Sequence, residues 1–484
     1  MALAMNEQAT ESENVPLCVS LDGPLLRTDL LIESWFGLLR TRALLAILAP
    51  YWLMWGKARL KHEIALRTEL DVRHLPYDGP LLEYLRDQFR AGRRLVLTTG
   101  SNEKYADEVA THLGIFKEVI ASNVQTNLSA AAKSRLLVER YGDRGFDYAG
   151  NAKTDLQVFP HARQTILVNP APGVERTAKQ PTGKQMFAGT FSRLGVYLRA
   201  LRLHQWVKNL LVFVPLAAAH KLGNPELLAK AALAFVAFGL CASSVYVLND
   251  LLDLPADRAH ARKRQRPFAS GAASVRVGVV LIPLLLAAAA AIATMLPLAF
   301  LATLAVYHVT TLAYSLWLKG KLMIDVLVLA GLYTLRILAG AAAVAIVPSF
   351  WLIAFSMFLF LSLAMVKRYS ELLELRDAGV TNARGRGYEV TDLATLQSLG
   401  AAAGYCAVLV LALYINSNDV RINYTHPNRI WLLCPLLLYW VSRMWQRAGR
   451  GQMHDDPLVF ALKDRISRYV GAAGVIVMLA ASWA

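Results

Sequence analysis

The sequence predicts two parts: an N-terminal α/β domain with a Rossmann-like parallel sheet, then an all-α polytopic bundle of nine transmembrane helices. Three observations lead there. Of the 484 residues, 55% are apolar and only 18% charged, with a mean hydropathy of +0.37, which is more apolar and less charged than an average soluble domain. Composition changes near residue 190, from short apolar runs to long ones. Lys and Arg then fall unevenly between alternate loops of the second part, as membrane topology requires. A purely cytosolic enzyme, a disordered chain and a fibrous repeat are excluded. The net charge of +16 suits partners that carry phosphate, or an anionic membrane face, because net charge governs association and not fold; no nucleic-acid partner is expected.

Before residue 190, PLCVSLD, RRLVLTTG, KEVIASN, FDYAG and QTILVNP each read as a buried strand. They alternate with helical segments at 102–113 and 130–141, the pattern of parallel βαβ units. Residues 1–168 form this domain. Residues 169–190 are rich in Pro, Gly and Lys and read as a linker, and 191–484 form the membrane part. Cys18, Cys241, Cys406 and Cys434 show no CxxC spacing, so neither a metal nor a redox site is sought in them. The N-terminus has no basic stretch followed by an apolar one, so a cleaved signal peptide is not expected and this domain stays cytoplasmic.

Nine apolar segments follow, at 207–219, 228–248, 277–295, 297–316, 323–344, 350–365, 396–414, 430–441 and 469–484. A span needs about 20 mainly apolar residues, so the first and eighth borrow from their flanks. With residues before the first span inside, the inner loops hold 19 Lys and Arg and the outer loops 3, namely Lys221, Arg421 and Arg429. The expected location is the inner (cytoplasmic) membrane, multi-pass, with the functional charge cytoplasmic and the C-terminus outside. Within the first domain, ALLAILAPYWLMW at 43–55 is too short to span and carries Pro50; Arg40, Arg42, Lys57, Arg59 and Lys61 flank it. Two readings stand: a helix lying in the membrane interface, or a buried helix of the soluble domain.

The densest chemical signal is SSVYVLNDLLDLPADRAHARKRQRPFASG at 243–271. Asp250, Asp253 and Asp257 lie three and four apart, which places them on one helical face. Three adjacent carboxylates repel unless a cation lies among them, and hard oxygen donors favour Mg²⁺, which bridges to substrate phosphates. Arg258, Arg262, Lys263, Arg264 and Arg266 follow at once and supply charge for phosphate oxygens. The plain alternative is a solvated basic loop obeying the positive-inside rule. Carboxylates at a membrane helix end are costly and usually functional, which favours the metal–diphosphate reading. Arg336, mid-helix, should face the bundle interior and an anion.

Asn249-Asp250-Leu-Leu-Asp253-Leu-Pro-Ala-Asp257 resembles the first aspartate motif of the UbiA superfamily of intramembrane transferases, whose fold is a nine-helix bundle with a cytoplasmic mouth. LRLHQWVKN (201–209), KRQRPFASG (263–271), IDVLVLAGLYTLRILAG (324–340), KRYSEL (367–372) and ALKDR (461–465) together resemble its polyprenyl-phosphate phosphoribosyltransferase branch. That resemblance implies phosphoribosyl diphosphate as donor, a polyprenyl phosphate as acceptor and Mg²⁺ as cofactor. It implies that Asn249, Asp250, Asp253 and Asp257 handle the metal and diphosphate, and that Arg262, Lys263 and Arg266 bind donor oxygens. Lys208, with Lys367, Arg368 and Tyr369, then orients the acceptor phosphate, although a lysine at a helix end also snorkels for no other reason. Aromatic prenyltransferases of the superfamily carry a second DxxxD motif; here Asp325 is followed four residues on by Leu329, so the second carboxylate is missing.

The first domain resembles the haloacid dehalogenase superfamily of phosphatases, in VSLDGPLL, LVLTTGS, Lys133 and YAGNAKTD. The nucleophile position is Ser20, the expected Thr is Pro24, and the first acid of the last motif is Asn151, while Asp22, Thr99, Lys133 and Asp155 remain. With two metal-binding carboxylates gone and no evident base for Ser20, the expectation is a degenerate domain that has lost hydrolysis, with phosphate binding left open; an active phosphatase acting on the transferase product is the minority reading. For the whole protein the main reading is an Mg²⁺-dependent phosphoribosyl transfer to polyprenyl phosphate for cell-envelope glycan synthesis. The alternatives are an aromatic prenyltransferase using an isoprenyl diphosphate and a non-catalytic lipid-phosphate binding protein or transporter. A homo-oligomer is compatible with the sequence.

Overall fold

The computed structural model describes residues 15–177, 184–187, 193–380, 387–417, 420, 424–453 and 456–482. The N-terminal stretch 1–14, linker residues 178–183 and 188–192, and Arg421 lie outside them. The chain forms two compact units, Met1–Leu201 with Tyr246–Ile282, and Arg202–Val245 with Pro283–Ala484.

In the first unit, all five expected strands form: β1 (Leu17–Ser20), β2 (Leu95–Asn102), β3 (Glu118–Ser122), β4 (Asp147–Gly150) and β5 (Thr165–Val168). Together with β6 (Lys184–Phe187) they build one parallel sheet in the order β3-β2-β1-β4-β5-β6. Side chains alternate across it as the pleat demands. Leu17, Val19, Leu95 and Leu97 enter one apolar cluster, and Cys18, Val96, Tyr148 and Leu167 the opposite one. Four helices, α1 (Leu30–Thr41), α2 (Ala43–Ala46), α3 (Ala49–Met54) and α4 (Lys57–Arg67), lie between β1 and β2 in sequence, before α5 (Gly79–Arg90). Asp29 caps α1 by accepting from the Ile32 amide. Helices α6 (Glu103–Leu113) and α7 (Ala130–Tyr141) fall where expected, because Asn102 and Ser129 cap them and Gly114 closes α6 at φ 65°.

The expected linker is corrected in part: it holds α8 (Val174–Thr177) and β6. KQMF is too short to signal a strand by period, and it forms because β5 offers a free edge; Ile166 pairs with Gln185 and Leu167 with Met186. The apolar stretch 43–55 is divided into α2 and α3, and only Ala46 and Trp52 of it are buried, against Leu38 and Ile64. The buried-helix reading therefore fails for most of its length. After α9 (Arg193–Ala200), the short α10 (Val214–Ala218) and the start of α11 (Pro225–Leu252), this unit gains the aspartate segment: the end of α11, α12 (Leu254–Ala259), a 3-10 turn at Lys263–Gln265 and the start of α13 (Val275–Ala293).

The second unit carries α14 (Leu298–Leu316), α15 (Ile324–Ala343), α16 (Phe350–Asp377), α17 (Leu393–Ile415), α18 (Leu433–Gly449), α19 (Pro457–Lys463) and α20 (Arg465–Ser482). Among the described residues, seven helical segments are long and apolar enough to cross a membrane: α11, α13, α14, α15, α16, α17 with its leading turn, and α20. The expected first and eighth spans take shorter forms. Residues Leu203–Phe213 wind as a 3-10 helix before α10, which has Pro215 in its first turn. Likewise Pro427–Leu432 is a 3-10 turn before α18, whose 17 residues include Arg443 and Arg447.

Helices meet closely where glycines permit it. A Cβ on Gly340 of α15 would stand 2.0 Å from the Val212 carbonyl oxygen. The obstruction is backbone, so Gly340→Ala is expected to cost about 1–3 kcal/mol as overpacking, read as a lower melting temperature of the detergent-solubilised protein; an unchanged melt would contradict the packing. Gly400 sits under the Trp445 ring, whose Nε1 donates to Ser362 Oγ at 3.1 Å.

Candidate active site

The aspartate segment is built by backbone periodicity. Asn249 and Asp250 occupy the last turn of α11, Asp253 precedes α12 and Asp257 lies on it. The Asp253 amide donates to the Asn249 carbonyl and the Asp257 amide to the Asp253 carbonyl, at 2.9 and 2.8 Å. Asp250 and Asp257 are buried, and both reach one cationic group. Arg266 Nη1 lies 2.7 Å from Asp257 Oδ2 and 3.4 Å from Asp250 Oδ1. Burial pushes the Asp257 carboxyl up from its ordinary range, and Arg266 opposes that shift.

Asp253 instead pairs with Arg40, at 3.0 Å. The expected three-carboxylate set is thus not assembled: no group of three or more acidic, His or Cys side chains arranged for a metal occurs among the described residues. What is assembled is a pair of carboxylates around a position held by a cation. That donor set fits Mg²⁺, which commonly takes one or two carboxylates and completes its shell with water and phosphate oxygens. Arg262, Lys263 and Arg264 are exposed. Arg258 is removed from the expected phosphate-binding group, since it is buried against Glu33.

In the second unit a different cluster forms. Lys208 Nζ lies 2.7 Å from Asp456 Oδ2, and Lys367 Nζ 3.6 Å from the same oxygen. The Tyr333 hydroxyl donates to Asp456 at 3.2 Å. Burial alone would raise the Asp456 carboxyl, but Lys208 and Lys367 hold it well below the usual carboxylate range. Two cations against one anion leave a net positive locus. Beside it is a small cleft lined by Leu329, Tyr333, Leu363, Ala364, Lys367 and Asp456, among others. Leu329, the position of the missing second carboxylate, therefore gives that cleft an apolar wall.

Two residues went unremarked in the sequence. Asp456 precedes Pro457 and caps α19, a signal that looked only structural. Asn209 is buried, and its Oδ1 accepts from Arg336 Nε at 3.1 Å. Its Nδ2 is buried with no hydrogen-bond partner among the described residues.

Arg336 is interior, as expected, and its partners include Asn209, the Leu332 carbonyl, the Tyr307 hydroxyl at 3.0 Å and the rings of Phe238, Tyr307 and Tyr333. Two expected acceptor residues are placed otherwise. Arg368 is fully buried and forms ion pairs with Asp325 and Glu371, while donating to the Tyr314 hydroxyl at 2.8 Å. Tyr388 also donates to Asp325. Tyr369 packs edge-on against Trp445 in the core. Thus of KRY only Lys367 joins Lys208, because consecutive helical residues point 100° apart.

In the sheet domain, Ser20, Asp22, Thr99, Lys133, Asn151 and Asp155 do gather at the C-terminal ends of β1, β2 and β4, where open α/β sheets place ligands. Asp22 accepts from Thr99 Oγ1 at 2.6 Å and Ser101 Oγ at 2.7 Å, and burial pushes its carboxyl up. Lys133 lies 3.4 Å from Ser20 Oγ and 3.1 Å from the Tyr148 hydroxyl, which itself donates to Asp155. Tyr148 thereby bridges the cation and the carboxylate. The Asn151 side chain fills the space a Cβ on Gly23 would need, at 2.5 Å.

The profile of the UbiA prenyltransferase family matches residues 210–462. The chain is 34% identical over 470 residues to the uncharacterized protein y4nM of Sinorhizobium fredii, covering 95% of this chain and 89% of that one. It is 38% identical over 279 residues to the decaprenyl-phosphate phosphoribosyltransferase of Mycolicibacterium smegmatis, covering 56% of this chain and 86% of that one. The N-terminal part has haloacid dehalogenase hydrolases among its structural neighbours, for example one from Salmonella enterica serovar Typhi (TM-score 0.26, 14% identity, 36% of this chain and 73% of that chain). With half its length matched by the family profile and, among the described residues, seven helices long and apolar enough to span a bilayer, the chain is an integral membrane protein that belongs to the UbiA prenyltransferase family.

Proposed function

We propose that the protein transfers 5-phosphoribosyl from phosphoribosyl diphosphate to a polyprenyl phosphate. The observation that carries this reading is the fate of the second carboxylate position. Asp325 is consumed by Arg368 and Tyr388, and Leu329 is apolar, so among the described residues the carboxylates for the metal come from the aspartate segment, with Arg262, Lys263 and Arg266 beside it. A donor with an additional 5-phosphate suits that balance better than a plain isoprenyl diphosphate. The similarity to the mycobacterial phosphoribosyltransferase supports the same choice.

Asp250 and Asp257 would hold Mg²⁺, with Asp253 added if it exchanged Arg40 for the cation, and the bound metal would neutralise the diphosphate leaving group. Arg266, released from its two carboxylates, turns to the diphosphate oxygens, and Arg262 and Lys263 add charge for the 5-phosphate. As the C1–O bond lengthens, negative charge grows on the diphosphate where these cations act. The acceptor phosphate is ionised at neutral pH, so the chain supplies position and not a strong base. Lys208 and Lys367 hold that phosphate, with Asp456 keeping the two ammonium groups together and Asn209 offering its free amide donor. The assignment puts the basic loops and the sheet domain at the cytoplasmic side of the inner membrane and the C-terminus outside.

Mass spectrometry of lipids after incubating the full-length protein with Mg²⁺, phosphoribosyl diphosphate and a panel of polyprenyl phosphates should detect the polyprenyl-phosphoryl-5-phosphoribose. Turnover of an isoprenyl diphosphate with an aromatic acceptor instead would overturn the reading. Lys208→Met is expected to raise KM for the lipid phosphate about tenfold, the loss of one charge-assisted hydrogen bond, with the donor KM unchanged. For the sheet domain, whose Ser20 and Asn151 replace the catalytic acids, phosphate release from the lipid-linked product should stay at background; robust release would show that the domain is a working phosphatase.

A further inference from the structure

We propose that α1 of the sheet domain is a positioning element of the donor site, with Glu33 fixing Arg258 and Arg40 acting as the exchangeable counter-cation of Asp253. The proposal rests on the donor reading above. Its first observation is a buried ion pair between residues 225 positions apart. Arg258 Nη1 lies 2.7 Å from Glu33 Oε2, its other terminal nitrogen meets Oε1, and both side chains are buried, 5% and 2% exposed. Thr28 Oγ1 also donates to Glu33. On the other side, Arg258 Nε donates to the Ala269 carbonyl at 3.0 Å. One guanidinium therefore ties α1, α12 and the far end of the basic loop together. Such a pair adds little net stability, because both charges surrender water, but it tolerates no misregister.

Backbone contact agrees with it. Gly271, which ends the loop at φ 71°, would place a Cβ 2.5 Å from Arg27 Cβ and 2.9 Å from the Arg27 carbonyl oxygen. Only glycine lets the loop rest this closely on the strand-to-helix turn ahead of α1. Next in sequence, Arg276 Nε donates to Asp29, the cap of α1, at 2.7 Å.

Arg40 lies seven residues after Glu33, on the same face of α1 two turns on. Its Nη1 is 3.0 Å from Asp253 Oδ1 and 3.3 Å from the Leu252 carbonyl. These side chains are 35% and 28% exposed, so the pair is weak and readily exchanged. A fixed clamp at Arg258 and a replaceable partner at Asp253 give the donor loop one rigid anchor and one carboxylate that a cation can claim. The aspartate motif is thereby aligned by a helix of the unit to which it belongs.

The test uses the full-length protein in detergent, with steady-state kinetics and hydrogen–deuterium exchange over residues 254–271. Glu33→Gln is expected to raise the donor KM at least tenfold, leave the lipid-phosphate KM within twofold, and speed exchange across the loop. The charge-swapped pair Glu33→Arg with Arg258→Glu should recover most of both. Arg40→Gln should lower the Mg²⁺ concentration for half-maximal rate several-fold without changing exchange. Unchanged donor KM and unchanged exchange in Glu33→Gln overturn the clamp. If that variant does not fold, Arg40→Gln still decides, since an unaltered Mg²⁺ dependence removes Arg40 from the donor site. A wild-type protein that ignores phosphoribosyl diphosphate sinks the donor reading alone, because the exchange measurement reports the clamp whatever the substrate.

A different surface supports a second inference. Leu44, Met54 and Trp55 are 80%, 84% and 71% exposed, and Ile47 and Tyr51 are also exposed. Arg42, Lys57 and Arg59 flank them and are exposed too. We infer that α2 and α3 lie in the headgroup region of an anionic bilayer, because basic flanks complement anionic lipid and the chain is already membrane-integral. In phosphatidylethanolamine–phosphatidylglycerol liposomes carrying a photoreactive phospholipid, lipid adducts should map to residues 44–55 and fall in Leu44→Glu/Met54→Glu. Adducts confined to the long helices, or cross-links from 44–55 to a second copy, would overturn it.

Discussion

Asp250→Asn is expected to lower the rate of phosphoribosyl transfer by about 10²–10³-fold, roughly 3–4 kcal/mol, the usual effect of removing one preorganised charge contact at a reacting centre. The side chain is buried at the last turn of α11 beside Arg266. Asparagine keeps its volume and removes its charge, so folding should be little changed while the cation loses a ligand. Arg266 then retains only Asp257 of the two carboxylates it now spans. Initial rates with labelled donor, together with a binding isotherm for polyprenyl phosphate, make the comparison. A variant within threefold of wild type would sink the aspartate segment as the donor site, and lost lipid binding would show that Asp250 serves the fold.

Arg368→Gln is expected to destabilise the fold strongly, not to give an equally stable and catalytically weakened protein. Asp325 is completely buried and forms an ion pair with Arg368. Removing one partner of a buried pair costs about 3–5 kcal/mol because it leaves a charge without compensation, against a total stability of order 5–15 kcal/mol. The double variant Asp325→Asn/Arg368→Gln, which removes both charges, should recover much of the loss. Size-exclusion profiles and melting temperatures of the three proteins in detergent decide it. A well-folded Arg368→Gln with a selectively raised KM for the lipid phosphate would return Arg368 to the acceptor site, where the motif alone had put it.

These two cases show how far residue type and spacing carry. The Asp250–Asp257 motif was legible because carboxylates at a membrane helix end have few inexpensive uses. Arg368 was equally legible as unusual, yet its role was not, because an arginine beside a substrate phosphate and one beside a buried carboxylate read alike in the chain. The partner that distinguishes them, Asp325, is 43 positions away. Asp456 was missed for the converse reason: an acid before proline reads as a helix cap, and it is one, while also holding Lys208 and Lys367.

The sequence by itself determined the strand-and-helix alternation of the first 168 residues, the long apolar helices, the loop charge and the acidic motif. Each depends on local period, composition or capping, which neighbouring residues impose on one another. Only the tertiary structure decided that KQMF would complete the sheet, that Asp253 faces Arg40 while Asp250 and Asp257 share Arg266, and that Arg258 belongs to Glu33. These depend on which distant group fills a site first. A buried charge takes whatever opposite charge the fold brings within reach, and no local pattern names that partner.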